Sequence, residues 1–214
     1  MTFTLYYAPY SCAIAPLIAL YQAGAVFDVK TINPMKQEQM SPDFLRLNPK
    51  HRVPVLMVDG EPLTENVAIL TFLARQFPAA QLLPEGGMDE IRALSFMAWC
   101  ASGVQPTLSP QARPERFCDL PDSAAGVRRA CQALTREAYG VAEDMLGPRD
   151  WFFDRFTVAD AHFHWCFRMG AVFGVDQSAF PHLRAHKERV EQQPAVKKAL
   201  AFDAAQLDAL KAKG

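Results

Sequence analysis

The sequence predicts an α/β N-terminal unit in the order β-α-β-α-β-β-α with a mixed sheet, followed by an all-α remainder. Up to residue 78, short runs of β-favouring residues alternate with helical spacing, whereas every long segment after residue 88 keeps helical spacing alone. Asp59-Gly60 separates two short strand-like runs, and this hairpin makes the last two strands antiparallel. Half of the 214 residues are hydrophobic, enough for a sizeable core.

The first strand is Phe3-Thr-Leu-Tyr-Tyr7, ended by Pro9. Ile14, Leu17, Ile18 and Tyr21 then keep helical spacing, with Ser11 or Cys12 as candidate N-cap and Gly24 at the C-terminal glycine position. Residues 27–32 form the second strand and 33–40 a loop. Ser41-Pro42-Asp43 opens a short helix through Leu47, with proline at its first position. Val55 to Val58 and Pro62-Leu63-Thr64 are the hairpin strands. Val67, Leu70, Leu73, Ala74 and Phe77 mark a helix over 66–77 that stops at Pro78.

The domain boundaries expected from this pattern are 1–78, a linker over 79–88, and a helical domain over 89–214. Its helices are predicted near 89–102, 123–146, 158–173, 182–192 and 195–211. Gly103, Pro106 and Pro110 are expected to interrupt the first of them, and 111–122, with Pro114 and Pro121, to form an extended loop. Thr157 and Asp160 have the spacing of an N-terminal capping box, which is a folding device.

Charge is balanced, 22 Lys and Arg against 23 Asp and Glu, so neither nucleic acid nor a membrane surface is an expected partner. The N-terminal stretch has no basic residue ahead of its apolar run, and no stretch reaches the ~18 apolar residues of a membrane span. A soluble, cytoplasmic protein is expected. Cys12, Cys100, Cys118, Cys131 and Cys166 are odd in number and contain no Cys-x-x-Cys pair, which argues for reduced thiols rather than a disulfide framework or zinc ribbon. No metal is expected. His162 and His164, two apart on a helix, do not share a face and read as core or interface residues.

Three segments suggest chemistry. Tyr6-Tyr-Ala-Pro-Tyr-Ser-Cys12 delivers Ser11 and Cys12 to a helix N-terminus, where N–H groups and a partial positive charge stabilise a thiolate. That thiolate is either the sulfur of Cys12 or that of a bound thiol, and a packing role for Cys12 is the competing interpretation. Asn48-Pro-Lys-His-Arg-Val53-Pro54 leads into the third strand, and Leu63-Thr-Glu65-Asn66 leads into a helix whose N-terminus suits a carboxylate, unless Glu65 and Asn66 merely cap it.

Together these segments resemble the glutathione transferase superfamily, with the bacterial beta class closest over the first eighty residues. The resemblance implies a thioredoxin-like N-terminal domain, glutathione as co-substrate, a small hydrophobic electrophile as second substrate, and a homodimer. It implies that Cys12 or Ser11 activates the thiol, with Tyr6 and Tyr7 as rival hydroxyl donors. The proline of Val53-Pro54 would be cis, leaving the Val53 backbone to pair with the cysteinyl part of glutathione. Glu65 and Asn66 would hold the γ-glutamyl end, and Lys36 the glycyl carboxylate.

Asn66 replaces the family's usual serine. Gln105-Pro106 stands where the beta class usually carries a His-Lys pair. Phe96, Met97, Trp99, Trp165, Phe167 and Phe173 are candidates to line the electrophile pocket, with ordinary core packing as the alternative. An ionised Cys12 would favour thiol exchange through a mixed disulfide, and Ser11 would favour conjugation. The competing function is a non-catalytic transferase-fold binding or regulatory module. A glutaredoxin-type oxidoreductase is disfavoured because Pro9-Tyr10-Ser11-Cys12 has the wrong spacing.

Overall fold

The computed structural model describes residues 1–212. Two compact units emerge, one made of Met1–Leu83 together with the chain from Gln192 onward, the other of Pro84–Glu191.

In the first unit, β1 (Phe3–Tyr7), β2 (Asp28–Thr31), β3 (Val55–Val58) and β4 (Glu61–Thr64) form one sheet in the order β2-β1-β3-β4. β1 runs parallel to β2, and the other two pairings are antiparallel. The mixed sheet expected from the hairpin is therefore present. Asp59 and Gly60 both take positive φ (49° and 91°), the conformation of a two-residue turn whose twist matches its strands. Alternation along β1 puts Phe3, Leu5 and Tyr7 in the core.

Helix α1 (Ile14–Gln22) is buried from Ile14 through Leu20 and packs on α3 (Asn66–Gln76) and on α9 (Pro194–Ala212). A helix covered on several sides needs apolar residues all round, which is what its sequence supplies. Gly24, at φ +62°, ends it in a Schellman motif, with Ala25 N–H donating to the Leu20 carbonyl (3.0 Å) and Gly24 N–H to that of Tyr21 (3.1 Å). Ser41 caps α2 (Pro42–Leu47) by accepting the Phe44 N–H at 3.2 Å. The final helix follows the helical half in sequence, yet its contacts place it in the N-terminal unit.

The second unit holds α4 (Gly87–Trp99), α5 (Gln105–Ala112), α6 (Ser123–Leu146), α7 (Val158–Val172) and α8 (Pro181–Gln192). The interruption expected at Gly103, Pro106 and Pro110 does not occur: a π-helical segment, Cys100–Val104, joins α4 to α5, and the helical path runs to Ala112. Pro106 follows directly on the π segment, in which the Gln105 N–H reaches back five residues to the Cys100 carbonyl, and Pro110 is carried inside α5. Gly103 passes against the Trp99 indole, and a Cβ there would lie 2.7 Å from Cδ1. Gln111, expected in the loop, is instead buried and donates to the Thr107 carbonyl (2.8 Å) and the Thr135 hydroxyl (2.9 Å).

Phe96, Phe152, Phe163, Tyr139 and Phe167 form one aromatic cluster with ring centroids 4.3–6.3 Å apart. Phe96, Met97 and Phe167 are thus core residues of this unit, at most 3 % exposed. The capping box forms as expected. The Thr157 N–H and hydroxyl donate to Asp160 Oδ2 (2.8 and 2.9 Å), while Oδ1 accepts from Phe152 N–H (3.1 Å) and His186 Nε2 (2.9 Å).

His162 is wholly buried on α7, and burial pushes its pKa down from 6.5 to about 4. The folded state keeps the ring neutral while the unfolded chain protonates it below 6.5. Stability present above that pH is therefore lost as pH falls toward 4, by up to about 3 kcal/mol. Urea unfolding at pH 7.5 and pH 4.5 should show a smaller acid penalty in His162→Gln than in the wild type; equal penalties would refute this assignment.

Candidate active site

The thiol segment begins where β1 ends. Tyr10, at φ +61°, turns the chain, and the Ser11 N–H donates to the Ala8 carbonyl at 3.2 Å. Regular α-helix starts at Ile14, later than the capping expectation for Ser11 or Cys12. The physical reason is a tight opening turn, in which the Ile14 and Ala15 N–H groups reach back three residues to the Ser11 and Cys12 carbonyls, both at 3.2 Å. The Ser11 hydroxyl donates to the Ala8 carbonyl (2.6 Å) and accepts the Ala13 N–H (3.3 Å). Its one proton is committed to the turn.

Cys12 is 8 % exposed, with Sγ 3.8 Å from the Val53 carbonyl oxygen. The Val53–Pro54 peptide is cis, with Pro54 buried and Val53 half-buried. Asn48, itself buried, shapes the loop that carries them: its side chain donates to the Arg52 carbonyl (2.7 Å) and accepts the Lys50 N–H (3.1 Å).

Helix α3 supplies the third wall. Asn66 is buried, and its Nδ2 donates to the Cys12 carbonyl at 3.1 Å, so this residue links the helix start to the thiol turn. Glu65 takes φ +72°, a sparsely populated conformation for a side-chain-bearing residue and one that clusters at ligand-holding sites. It stands at the N-cap position of α3 without a side-chain capping bond. Its carboxylate instead pairs with Lys50, whose ammonium also donates to the Thr64 hydroxyl at 2.9 Å. The N–H groups of Val67 and Ala68, in the first turn of α3, have no acceptor within the helix and suit an anion.

Cys12, Val53, Pro54 and Asn66 are therefore joined in one network, with Glu65 beside Asn66 and Ser11 beside Cys12. Lys36 is exposed in the segment between β2 and α2, with its backbone N–H on Asn33 Oδ1 at 3.3 Å. Tyr7 is buried and its hydroxyl bonds Asp203, whereas the Tyr6 hydroxyl accepts from Lys30 at 3.4 Å. Lys50 and Asp203 were not singled out from sequence. Lys50 stands inside the Asn48–Pro54 segment, but its reach to Glu65 depends on the β3–β4 register, and nothing local marks Asp203. Among the described residues no cluster of three or more His, Cys, Asp or Glu side chains suits a metal ion, and no helix is long and apolar enough to cross a membrane.

A four-stranded mixed sheet with a thiol at the foot of its first helix, beside a cis-proline loop, defines the thioredoxin-like class. Residues 1–75 match the family described as glutathione S-transferase, N-terminal domain. Glutathione S-transferase GST-4.5 of Xanthomonas campestris pv. campestris is 30 % identical over 200 residues, covering 92 % of this chain and 96 % of its own. A sphingomonad glutathione S-transferase complexed with glutathione superposes with a TM-score of 0.83 at 32 % identity, over 94 % of this chain and 98 % of that one. The bacterial beta-class glutathione S-transferase of Sphingomonas chungbukensis gives the same values. The chain belongs to the glutathione S-transferase family.

Proposed function

We infer that the protein is a glutathione transferase in which Cys12 carries the thiol chemistry, with a small hydrophobic electrophile or a disulfide as second substrate. The observation that carries this reading is the network joining the Cys12 thiol, the Val53 carbonyl and the start of α3, with Glu65 and the first-turn N–H groups beside it. The retained Cys12, Val53-Pro54 and Glu65 favour an enzyme over a non-catalytic module.

In this reading Glu65 and the α3 N-terminus hold the γ-glutamyl end of glutathione, Glu65 taking the ammonium and the helix amides the carboxylate. The Lys50 ammonium, bonded to Glu65 and Thr64, stands in for the cation that Glu65 would accept. The Val53 backbone pairs with the cysteinyl unit, which brings the glutathione sulfur to Cys12, and Lys36 meets the glycyl carboxylate. Cys12 then stabilises the glutathione thiolate for attack on an electrophilic carbon, or itself exchanges with a disulfide. Ser11 is the lesser candidate because its proton is held by the Ala8 carbonyl. The chain is expected to work as a homodimer.

Calorimetry with glutathione, paired with mass spectrometry of Cys12, tests this. Glu65→Ala should weaken glutathione binding by about 10- to 100-fold, the worth of a charge-assisted contact. It should cost folding stability no more than about 1 kcal/mol, because the Lys50–Glu65 pair is exposed. Absence of glutathione binding in the wild type would overturn the reading. Binding without any adduct at Cys12 would move the chemistry to Ser11 and conjugation.

A further inference from the structure

We propose that Asp203, on the last helix, is a positioning residue for the Cys12 turn. The proposal rests on the assignment of thiol chemistry to Cys12. Asp203 is 1 % exposed, and its Oδ1 accepts both the Tyr7 hydroxyl and the Tyr10 N–H, the latter at 3.0 Å. These donors bracket Ala8-Pro9, so one carboxylate oxygen closes the bend between β1 and the thiol segment. Tyr10 needs such a partner: it has a side chain yet holds φ +61°, which residues with a Cβ seldom adopt. Ser11 and Cys12 follow directly, so the conformation of Tyr10 sets where Sγ stands relative to the Val53 carbonyl.

Helix α9 is itself anchored. It packs on α1, the Phe202 ring meets that of Tyr7 with centroids 5.6 Å apart, and Gln206 Oε1 lies 2.7 Å from the Thr31 hydroxyl, which donates to it. Burying a carboxylate is costly unless hydrogen bonds hold it, and an apolar side chain would serve if filling space were its only task. The specific gain is a fixed acceptor for the backbone of the turn. The C-terminal helix, almost two hundred residues from Cys12 in the chain, thereby becomes part of the thiol site's support.

Asp203→Leu and Asp203→Asn test this through the rate at which glutathione disulfide modifies Cys12. In that step the Cys12 thiolate attacks one sulfur of the disulfide. A protein–glutathione S–S bond forms, the glutathione S–S bond breaks, and the departing glutathione thiolate takes up the proton that Cys12 released. Asp203→Leu should slow adduct formation about 10- to 100-fold, as expected when a reacting group loses its fixed position, with glutathione affinity unchanged. Asp203→Asn should restore most of the rate, because its amide oxygen accepts the same two bonds. Equal slowing in both variants, or no slowing in Asp203→Leu, would overturn the proposal.

Hydrogen exchange supplies a readout that needs neither the variants nor the chemistry. The Tyr10 amide of the wild type should be protected, and its exchange at the unprotected rate would refute the proposal even if Asp203→Leu failed to fold. If the wild type forms no adduct, the Cys12 assignment fails, while Asp203 as the anchor of the turn is judged on that amide alone.

Discussion

Cys12→Ala should eliminate the glutathione adduct and lower turnover by about 10²- to 10³-fold, the usual effect of removing a donor aimed at the reacting charge. Sγ lies 3.8 Å from the Val53 carbonyl, on the face where the resemblance places the cysteinyl unit of glutathione. Ser11→Ala is the contrasting variant. It loses hydrogen bonds to Ala8 and Ala13 that belong to the turn, each worth about 1 kcal/mol, so turnover should change by no more than a factor of about ten. Steady-state kinetics on both variants with an aryl halide and with a disulfide separates the cases. A Ser11→Ala protein that is dead toward the halide, beside a Cys12→Ala protein that is not, would reverse the assignment.

Asp160→Ala should be the most destabilising substitution in the second unit. The carboxylate is fully buried and accepts from Phe152 N–H, Thr157 N–H, the Thr157 hydroxyl and His186 Nε2, so it ties the start of α7 to the preceding loop and to α8. Removing one partner of a buried charge-assisted pair costs about 3–5 kcal/mol, because the other donors lose their acceptor too. In a chain of this size that corresponds to a fall in Tm of roughly 10 °C. Thr157→Ala removes only the cap hydroxyl and should cost about 1 kcal/mol. Calorimetric scans in which the two variants melt together would show that Asp160 acts only as a cap.

Much of the architecture was legible because its signals are local. Asp59-Gly60 satisfies a turn that needs two positive φ values, Gly24 a helix end, Ser41-Pro42 a helix start, and Thr157 with Asp160 a capping box; each is decided within about five residues of chain. The thiol turn and the start of α3 were legible as segments for the same reason, whereas the cis geometry of Val53-Pro54 was expected only from the family resemblance. Three local signals misled. Gly103, Pro106 and Pro110 read as helix breakers, but a π segment takes the glycine against Trp99 and leads directly into Pro106, and Pro110 lies inside α5.

What the sequence by itself determined is therefore the β-α-β-α-β-β-α order of the first unit and its mixed sheet, and, through the family resemblance, the thiol, acid and amide proposed for one candidate site. Only the tertiary structure decided who meets whom across long separations. It set Lys50 on Glu65 through the β3–β4 pairing and Asp203 under Tyr7 and Tyr10 by returning α9 to the N-terminal unit. It also committed the Ser11 proton to the turn and buried Phe96 and Phe167 in the core. The physical reason is that capping and turn preferences act along a few residues of backbone, whereas a hydrogen bond between distant side chains exists only after packing has fixed both in place.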